Sequence, residues 1–261
     1  VTVYGGGACG NETRANFFGG RLSPGSSGYT DRIDLVTIAS GGGGVDYGDL
    51  VGTTVHTSGC ASSIIGFKVG AYNLDNDIEF WQIATGGQAI DFAHLSVGRH
   101  TMQCFTSPTR GFTAGGSVPG DTRANSVDMW NMASKGTDAI DFGDMTSRRG
   151  ENPAATSNSV RGIIMGGMDP DNRLDSMEYV TMSTLGSFVS FGNLTTRTQG
   201  SAGAATETRA TVGGGYDTAY SNRIEYVTIA SLGNAKDFGD LTEARSTHGA
   251  TSDSHGGLGG F

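Results

Sequence analysis

Little in this chain can be cross-linked, rigidified or inserted. Only 3 cysteines occur in 261 residues (Cys9, Cys60 and Cys104), with no C-x-x-C among them, which argues against a disulfide framework or a thiolate metal site. Proline is scarce, at 5 residues. No run of about 18 apolar residues exists, so no membrane-spanning helix is expected. No basic stretch followed by an apolar one opens the chain, so no secretion signal is visible. Positive charge is short as well: 17 Lys and Arg face 26 Asp and Glu, a formal net charge of -9, which speaks against a nucleic-acid partner. The first residue is Val1 rather than Met, which points to a processed start or to part of a longer chain.

What is abundant is glycine, at 44 residues, without the three-residue period of collagen. Twelve Phe and eight Tyr are spread evenly and argue for a packed core. The glycines belong to a repeat. "RIDLVTIASGGGGVDYGDL" (32–50) returns almost unchanged as "RIEYVTIASLGNAKDFGDL" (223–241). Between them lie "DIEFWQIATGGQAIDFAHL", "SVDMWNMASKGTDAIDFGDM" and "SMEYVTMSTLGSFVSFGNL". Their late aromatic falls at Tyr47, Phe92, Phe142, Phe191 and Phe238, in steps of 45, 50, 49 and 47. A second element precedes each copy: "TRANFFGG", a degenerate "IIGFKVG", "TRGFTAGG", "VRGIIMGG" and "TRATVGGG". A sixth version, "SHGGLGGF", ends the sequence. Small residues lead into every one.

Each unit therefore has four strand-length pieces: small-residue strand a, strand b ending in Gly-Gly, apolar strand c, and strand d carrying D-F-G-D-L. Turn residues separate them. Four strands in about 48 residues, repeated, predict an all-β fold, a β-propeller of four-stranded blades forming one domain over 1–261. The blades fall at approximately 1–50, 51–95, 96–145, 146–194 and 195–241, with a partial one at 242–261. Five complete repeats plus a half favour six blades, the sixth completed by strands from outside this chain. Five blades with a spare a–b hairpin docked elsewhere is the alternative. An unfinished sixth blade would leave an unpaired strand edge.

The order of the pieces resembles the kelch repeat, in which Gly-Gly ends strand b and an acid-containing strand follows. The family's usual Trp of strand d is replaced by Tyr47, Phe92, Phe142, Phe191 and Phe238, and T-I-A-S stands for its Asp-Pro. The wording T-I-A-S-x-G-N-A-x-D-F-G-D-L resembles kelch-like repeats of bacteriophage tail and virion proteins. That resemblance implies a non-enzymatic virion component (tail, fibre or capsid decoration) serving assembly or host attachment. Its partners would be other virion or surface proteins in an oligomeric assembly, and a host glycan is a further candidate ligand. The implied location is the virion; the alternative is an extracellular or cell-surface carbohydrate-binding module. A galactose-oxidase-like enzyme ranks third, since no motif matches a Tyr–Cys copper site. No G-x-S-x-G, H-E-x-x-H or P-loop is present, and no cofactor is implied.

Individual residues fit structural roles. Arg14, Arg110, Arg161 and Arg209 share one position of strand b; Asp34, Asp128, Glu178 and Glu225, with Glu79, share one of strand c. They are expected to pair within each blade as Arg14–Asp34, Arg110–Asp128, Arg161–Glu178 and Arg209–Glu225. A carboxylate ring binding a cation is the rival reading. The Asp pairs of D-F-G-D-L, followed by Arg99, Arg148, Arg197 or Arg245, read as turn and bridge residues. Trp81 and Trp130 occupy a strand c position held elsewhere by Val and read as core. The cysteines read as small buried hydrophobes. For ligands the sequence offers the loop "RLSPGSSGYTD", with Arg21, Tyr29 and Asp31. Asp169, Asp171 and Asp175 form an oxygen-rich calcium candidate that lacks the pattern of an EF-hand.

Overall fold

The computed structural model describes residues 3–22, 28–120 and 122–253. Every regular element among them is a strand. Five antiparallel four-stranded sheets form, each in the order a-b-c-d. Blade 1 consists of Gly7–Gly10, Arg14–Phe18, Thr30–Thr37 and Val45–Thr54. Blade 2 is Ser58–Ala61, Ile65–Ala71, Asp75–Gln82 and Ile90–His94. Blade 3 is Gln103–Thr106, Arg110–Ala114, Ser126–Asn131 and Ile140–Asp144. Ala154–Ser157, Arg161–Met165, Ser176–Thr181 and Val189–Asn193 make blade 4. Ala202–Ala205, Arg209–Gly213, Arg223–Thr228 and Lys236–Asp240 make blade 5. Two ribbons decorate blades 1 and 3: Val3–Tyr4 with Arg21–Leu22, and Ser117–Val118 with Thr122–Arg123.

The fold is thus a propeller of five blades, the alternative count. The favoured sixth blade does not form as a sheet among the described residues. Its strand b, "SHGGLGGF", lies outside them. Yet residues 242–253 do not hang away from the ring. Thr251 lies against Gly10, and the Ser252 hydroxyl accepts the N–H of Ala205, so this segment runs between the a strands of blades 1 and 5.

The axis is closed at six positions rather than five. In each linker that leads into an a strand, one residue donates its N–H to the preceding linker's carbonyl. The series runs Gly5→Thr247 (3.5 Å), Thr247→Gly200 (2.7 Å), Gly200→Asn152 (3.0 Å), Asn152→Thr101 (3.0 Å), Thr101→His56 (3.1 Å) and His56→Gly5 (2.7 Å). All six residues have positive φ, between 52° and 68°. Six small-residue segments therefore surround the axis. Five belong to sheets, and the sixth, 247–252, stands alone.

Packing follows from what each strand faces. The strand a residues sit where neighbouring backbones converge, and all but Gln103 and Phe105 are Gly, Ala, Cys, Ser or Thr. A Cβ at Gly203 would lie 2.5 Å from the Ala155 carbonyl. Strand c fills the space between blades. Trp81 and Trp130 are 2% and 1% exposed, as expected of core residues. Trp81 meets Phe18 of blade 1 at 5.0 Å, and Trp130 meets Phe67 of blade 2 at 6.1 Å. The strand d aromatics Phe92, Phe142 and Phe191 are each 3% exposed. Burial of one such side chain contributes roughly 1.5–3 kcal/mol.

The Gly-Gly that ends strand b turns the chain out of the sheet. Gly115 and Gly116 have φ of 67° and 91°, and a Cβ on Gly116 would lie 2.7 Å from the His100 carbonyl. A backbone that is both left-handed and in contact admits only glycine.

Candidate functional site

The repeated Arg and acid side chains do not pair within a blade. Arg110 stands opposite Asn131 in the sheet register, while Asp128 stands opposite Thr113. Three residues along a strand separate the two by roughly 10 Å. The same offset holds for Arg14 and Asp34, Arg161 and Glu178, and Arg209 and Glu225. The four expected pairs Arg14–Asp34, Arg110–Asp128, Arg161–Glu178 and Arg209–Glu225 are therefore corrected. Shared repeat position was a sound clue to a shared role, but register put the partners elsewhere.

Both sets of residues bind the neighbouring blade. Arg14 donates to the Ile83 carbonyl at 2.7 Å, Arg110 to that of Met182 at 3.2 Å and Arg161 to that of Ile229 at 2.7 Å; each acceptor directly follows strand c of the next blade. Arg161 and Arg209 also lie over the rings of Tyr179 and Tyr226, at 4.7 and 4.9 Å. The acids reach the other way, to the residue just after the D-F-G-D-L stretch of the preceding blade. Glu79 accepts the N–H of Val51, Asp128 that of Ser96, Glu178 that of Thr146 and Glu225 that of Thr195, at 2.7–3.0 Å.

Cations complete all four of these acid sites, Glu225 with Arg223 of its own strand at 3.3 Å. Arg99 approaches Asp128 at 3.4 Å, both fully buried. Arg149 meets Glu178 at 2.5 Å and also donates to the carbonyls of Gly166 and Ser176. In blade 2 the buried Lys68 bonds Glu79 at 3.0 Å and Asp75 at 2.6 Å. Burial alone would raise the Glu178 pKa, but the Arg149 guanidinium and the Thr146 N–H outweigh it and hold it below its ordinary 4.5. Of the Arg residues singled out after D-F-G-D-L, Arg99 reaches an acid of the next blade, whereas after blade 3 it is Arg149 that does so and not Arg148. Lys68 carried no repeat signal, because blade 2 lacks the strand b Arg.

D-F-G-D-L is a junction device too. The carbonyls of Tyr47, Phe92, Phe142 and Phe191 accept N–H groups of Gly87, Gly136, Gly186 and Gly233 in the next blade's c–d turn. Beside Tyr47, Phe142 and Phe191 a Gly lets the backbones meet, while Ala93 stands beside Phe92. At Gly48, Gly143 and Gly192 a Cβ would lie 2.1–2.5 Å from the carbonyl of the next blade's turn glycine, and all three have φ near 150°.

The axis itself is lined by Cys9, Cys60, Cys104 and their small neighbours. Two cavities of about 50 Å³ each lie along it. All three thiols are free and buried, and burial raises those of Cys9 and Cys60 above the usual range. A neutral buried thiol is a poor nucleophile and metal ligand.

Surface chemistry gathers at the end of the ring that carries the b–c loops. Tyr29 lies 6.5 Å from Tyr72, and Tyr72 packs on His56 and His100 at 6.1 and 5.7 Å. Tyr4 stands edge-on to His56 at 5.5 Å. Tyr4 and Tyr72 are almost half exposed. Burial, with the His100 charge next, holds His56 below the ordinary 6.5. The candidate residue Tyr29 thus has four aromatic companions that the sequence alone did not suggest, because they come from four different loops and linkers. Arg21 pairs with Tyr29 across the same loop, and Asp31 is the second residue of strand c of blade 1 beyond it. Asp169 accepts the N–H groups of Asp171 and Asn172, an Asx turn, and Asp175 precedes strand c of blade 4. Among the described residues no three His, Cys, Asp or Glu side chains converge with metal-binding geometry.

A comparison with known protein families gives no match to this chain, and a comparison with curated proteins gives none either.

Proposed function

We propose that this protein is a non-enzymatic interaction propeller, a virion component of tail, fibre or capsid decoration that serves assembly or host attachment. The observation that carries the non-enzymatic part is where the repeated charged residues go. The strand c acids Glu79, Asp128 and Glu178, with Lys68, Arg99 and Arg149, are committed to junctions between blades. What remains for a partner is the loop face, with Tyr4, Tyr29, Tyr72, His56 and His100. Tyr and His present apolar faces with polar edges, a composition suited to protein partners. The virion part rests on the resemblance of T-I-A-S-x-G-N-A-x-D-F-G-D-L to kelch-like virion repeats. Immunogold labelling of purified particles tests it. Discrete labelling at one particle feature is expected; label found only in particle-free material contradicts it.

The exposed rings of Tyr4 and Tyr72 favour a second reading, a carbohydrate-binding module, because sugars stack on such faces. A glycan array with the native chain and Tyr72→Ala separates the two. Metal analysis of the purified protein tests the remaining enzyme reading.

A further inference from the structure

Four junctions of this ring are closed, and the fifth is not. Between blades 5 and 1 the same groups that lock the others stand exposed. Phe238 is 56% exposed, where Phe92, Phe142 and Phe191 are each 3%. Among the described residues nothing lies within 4 Å of a Cβ on Gly239, although its φ of 149° matches Gly143 and Gly192. The Arg245 side chain is 45% exposed and meets Glu243 on its own linker, where Arg99 and Arg149 are fully buried against the next blade.

The facing side of blade 1 is equally unfinished. The Asp34 side chain is 37% exposed, whereas its equivalents Asp128, Glu178 and Glu225 are 1–6% exposed, although Asp34 and Glu225 alike pair with an Arg of their own strand. Val36 is half-buried where Trp81 and Trp130 are buried. Gly42 and Gly44 hold the turn positions of Gly87 and Ala89 and are exposed. A groove of about 680 Å³ runs along this face, lined by Phe17, Arg32, Asp34, Gly44 and the axial residues Thr247–Gly249. The hydrogen-bond ring on the axis already counts six. Space for a sixth blade is present, and its innermost segment is in place.

We infer that this opening is a binding slot for a β-hairpin of the repeat's own strand c–d type, carried by a partner polypeptide. The four closed junctions define the occupant. On blade 5, Arg209 matches a carbonyl at the end of a strand c. The carbonyls of Phe238 and Asp240 match the N–H groups of a c–d turn. Arg245 and the N–H of Thr242 match a strand c carboxylate. On blade 1, the turn at Gly42–Gly44 matches the carbonyls of a strand d, and Asp34 matches the N–H just beyond it. Every complementary group belongs to a c–d hairpin, and an acid on its first strand supplies charge complementarity to Arg245. Binding is strand and turn addition to a preformed face. The inference stands apart from the virion reading and holds equally for a glycan-binding protein.

A fluorophore-labelled peptide of residues 221–242 tests it, titrated with the full chain and followed by anisotropy. Saturable one-to-one binding is expected. Arg245→Gln in the protein and Glu225→Gln in the peptide should each weaken binding by about tenfold, and together by no more than either alone. Absence of saturable binding, or binding indifferent to Arg245→Gln, overturns the inference. So does a free protein that sediments as a dimer with Phe238 already covered, which gives the slot to a second copy. A monomer with Phe238 and Arg245 already protected gives it to the chain's own end and likewise overturns it. Because an isolated hairpin is marginally stable in water, a second arm fuses the same residues ahead of Val1. That fusion should melt higher than one carrying a scrambled hairpin, and equal melting counts against the inference.

Discussion

Glu178 and Arg149 show what a single residue does in this ring. The two meet at 2.5 Å with exposures of 2% and 0%, and Glu178 also accepts the N–H of Thr146 and the Ser147 hydroxyl. Glu178→Gln leaves a buried guanidinium without its counter-charge, which costs about 3–5 kcal/mol. Arg32→Gln breaks the exposed Arg32–Asp34 pair and should cost about 0–1 kcal/mol. Denaturant unfolding of the two variants checks the ranking. Protonation tests the same groups. The folded pKa of His56 lies below 6.5, so the unfolded chain takes up this proton first as pH falls. Stability contributed by neutral His56 is therefore present above pH 6.5 and is lost as pH drops toward the folded pKa. Glu178 adds a second loss, beginning below its ordinary 4.5 and running down through its folded pKa. Melting temperatures measured from pH 7.5 downward should fall in these two windows, and His56→Gln should flatten the first.

At the scale of the element, strand d joins one blade to the next. Its glycine shows this most directly. A side chain at Gly192 would lie 2.2 Å from the Gly233 carbonyl, whereas at Gly239 nothing among the described residues lies within 4 Å. Both have φ near 150° and so carry the same backbone strain when substituted. Gly192→Val should thus cost roughly 1–3 kcal/mol more than Gly239→Val, the difference being the overpacked junction. Chemical unfolding of both variants measures it. The strands themselves were legible in the sequence, because Gly-Gly, the acid and D-F-G-D-L recur at fixed spacing. Their partners were not. Repeat position says which residues are equivalent, but it does not say whether Arg161 turns toward Glu178 beside it or toward Ile229 in the next blade. Register and blade twist decide that. The cluster of Tyr29, Tyr72, His56 and His100 was hidden for another reason: residues off the repeat meet only when the ring closes.

For the whole molecule, counting repeats favoured six blades, and the four-stranded sheets among the described residues number five. The excess resolves on the axis, where residues 247–252 take the sixth place without a sheet behind them. Blade packing normally covers both faces of every sheet, and among the described residues one face of blade 5 and one of blade 1 stay uncovered. The ring's stability then rests on four locked junctions and a hydrogen-bond ring rather than on a closed circle of blades.

Hydrogen–deuterium exchange on the native chain tests this directly. Backbone amides of strand d in blades 2, 3 and 4, and of the c–d turns in blades 2–5, should exchange slowly, each locked by a neighbour. Those of Lys236–Asp240 and of the turn at 41–44 should exchange fastest among their equivalents. Equal protection across all five blades would mean that the junction between blades 5 and 1 is closed like the others, and would contradict the account.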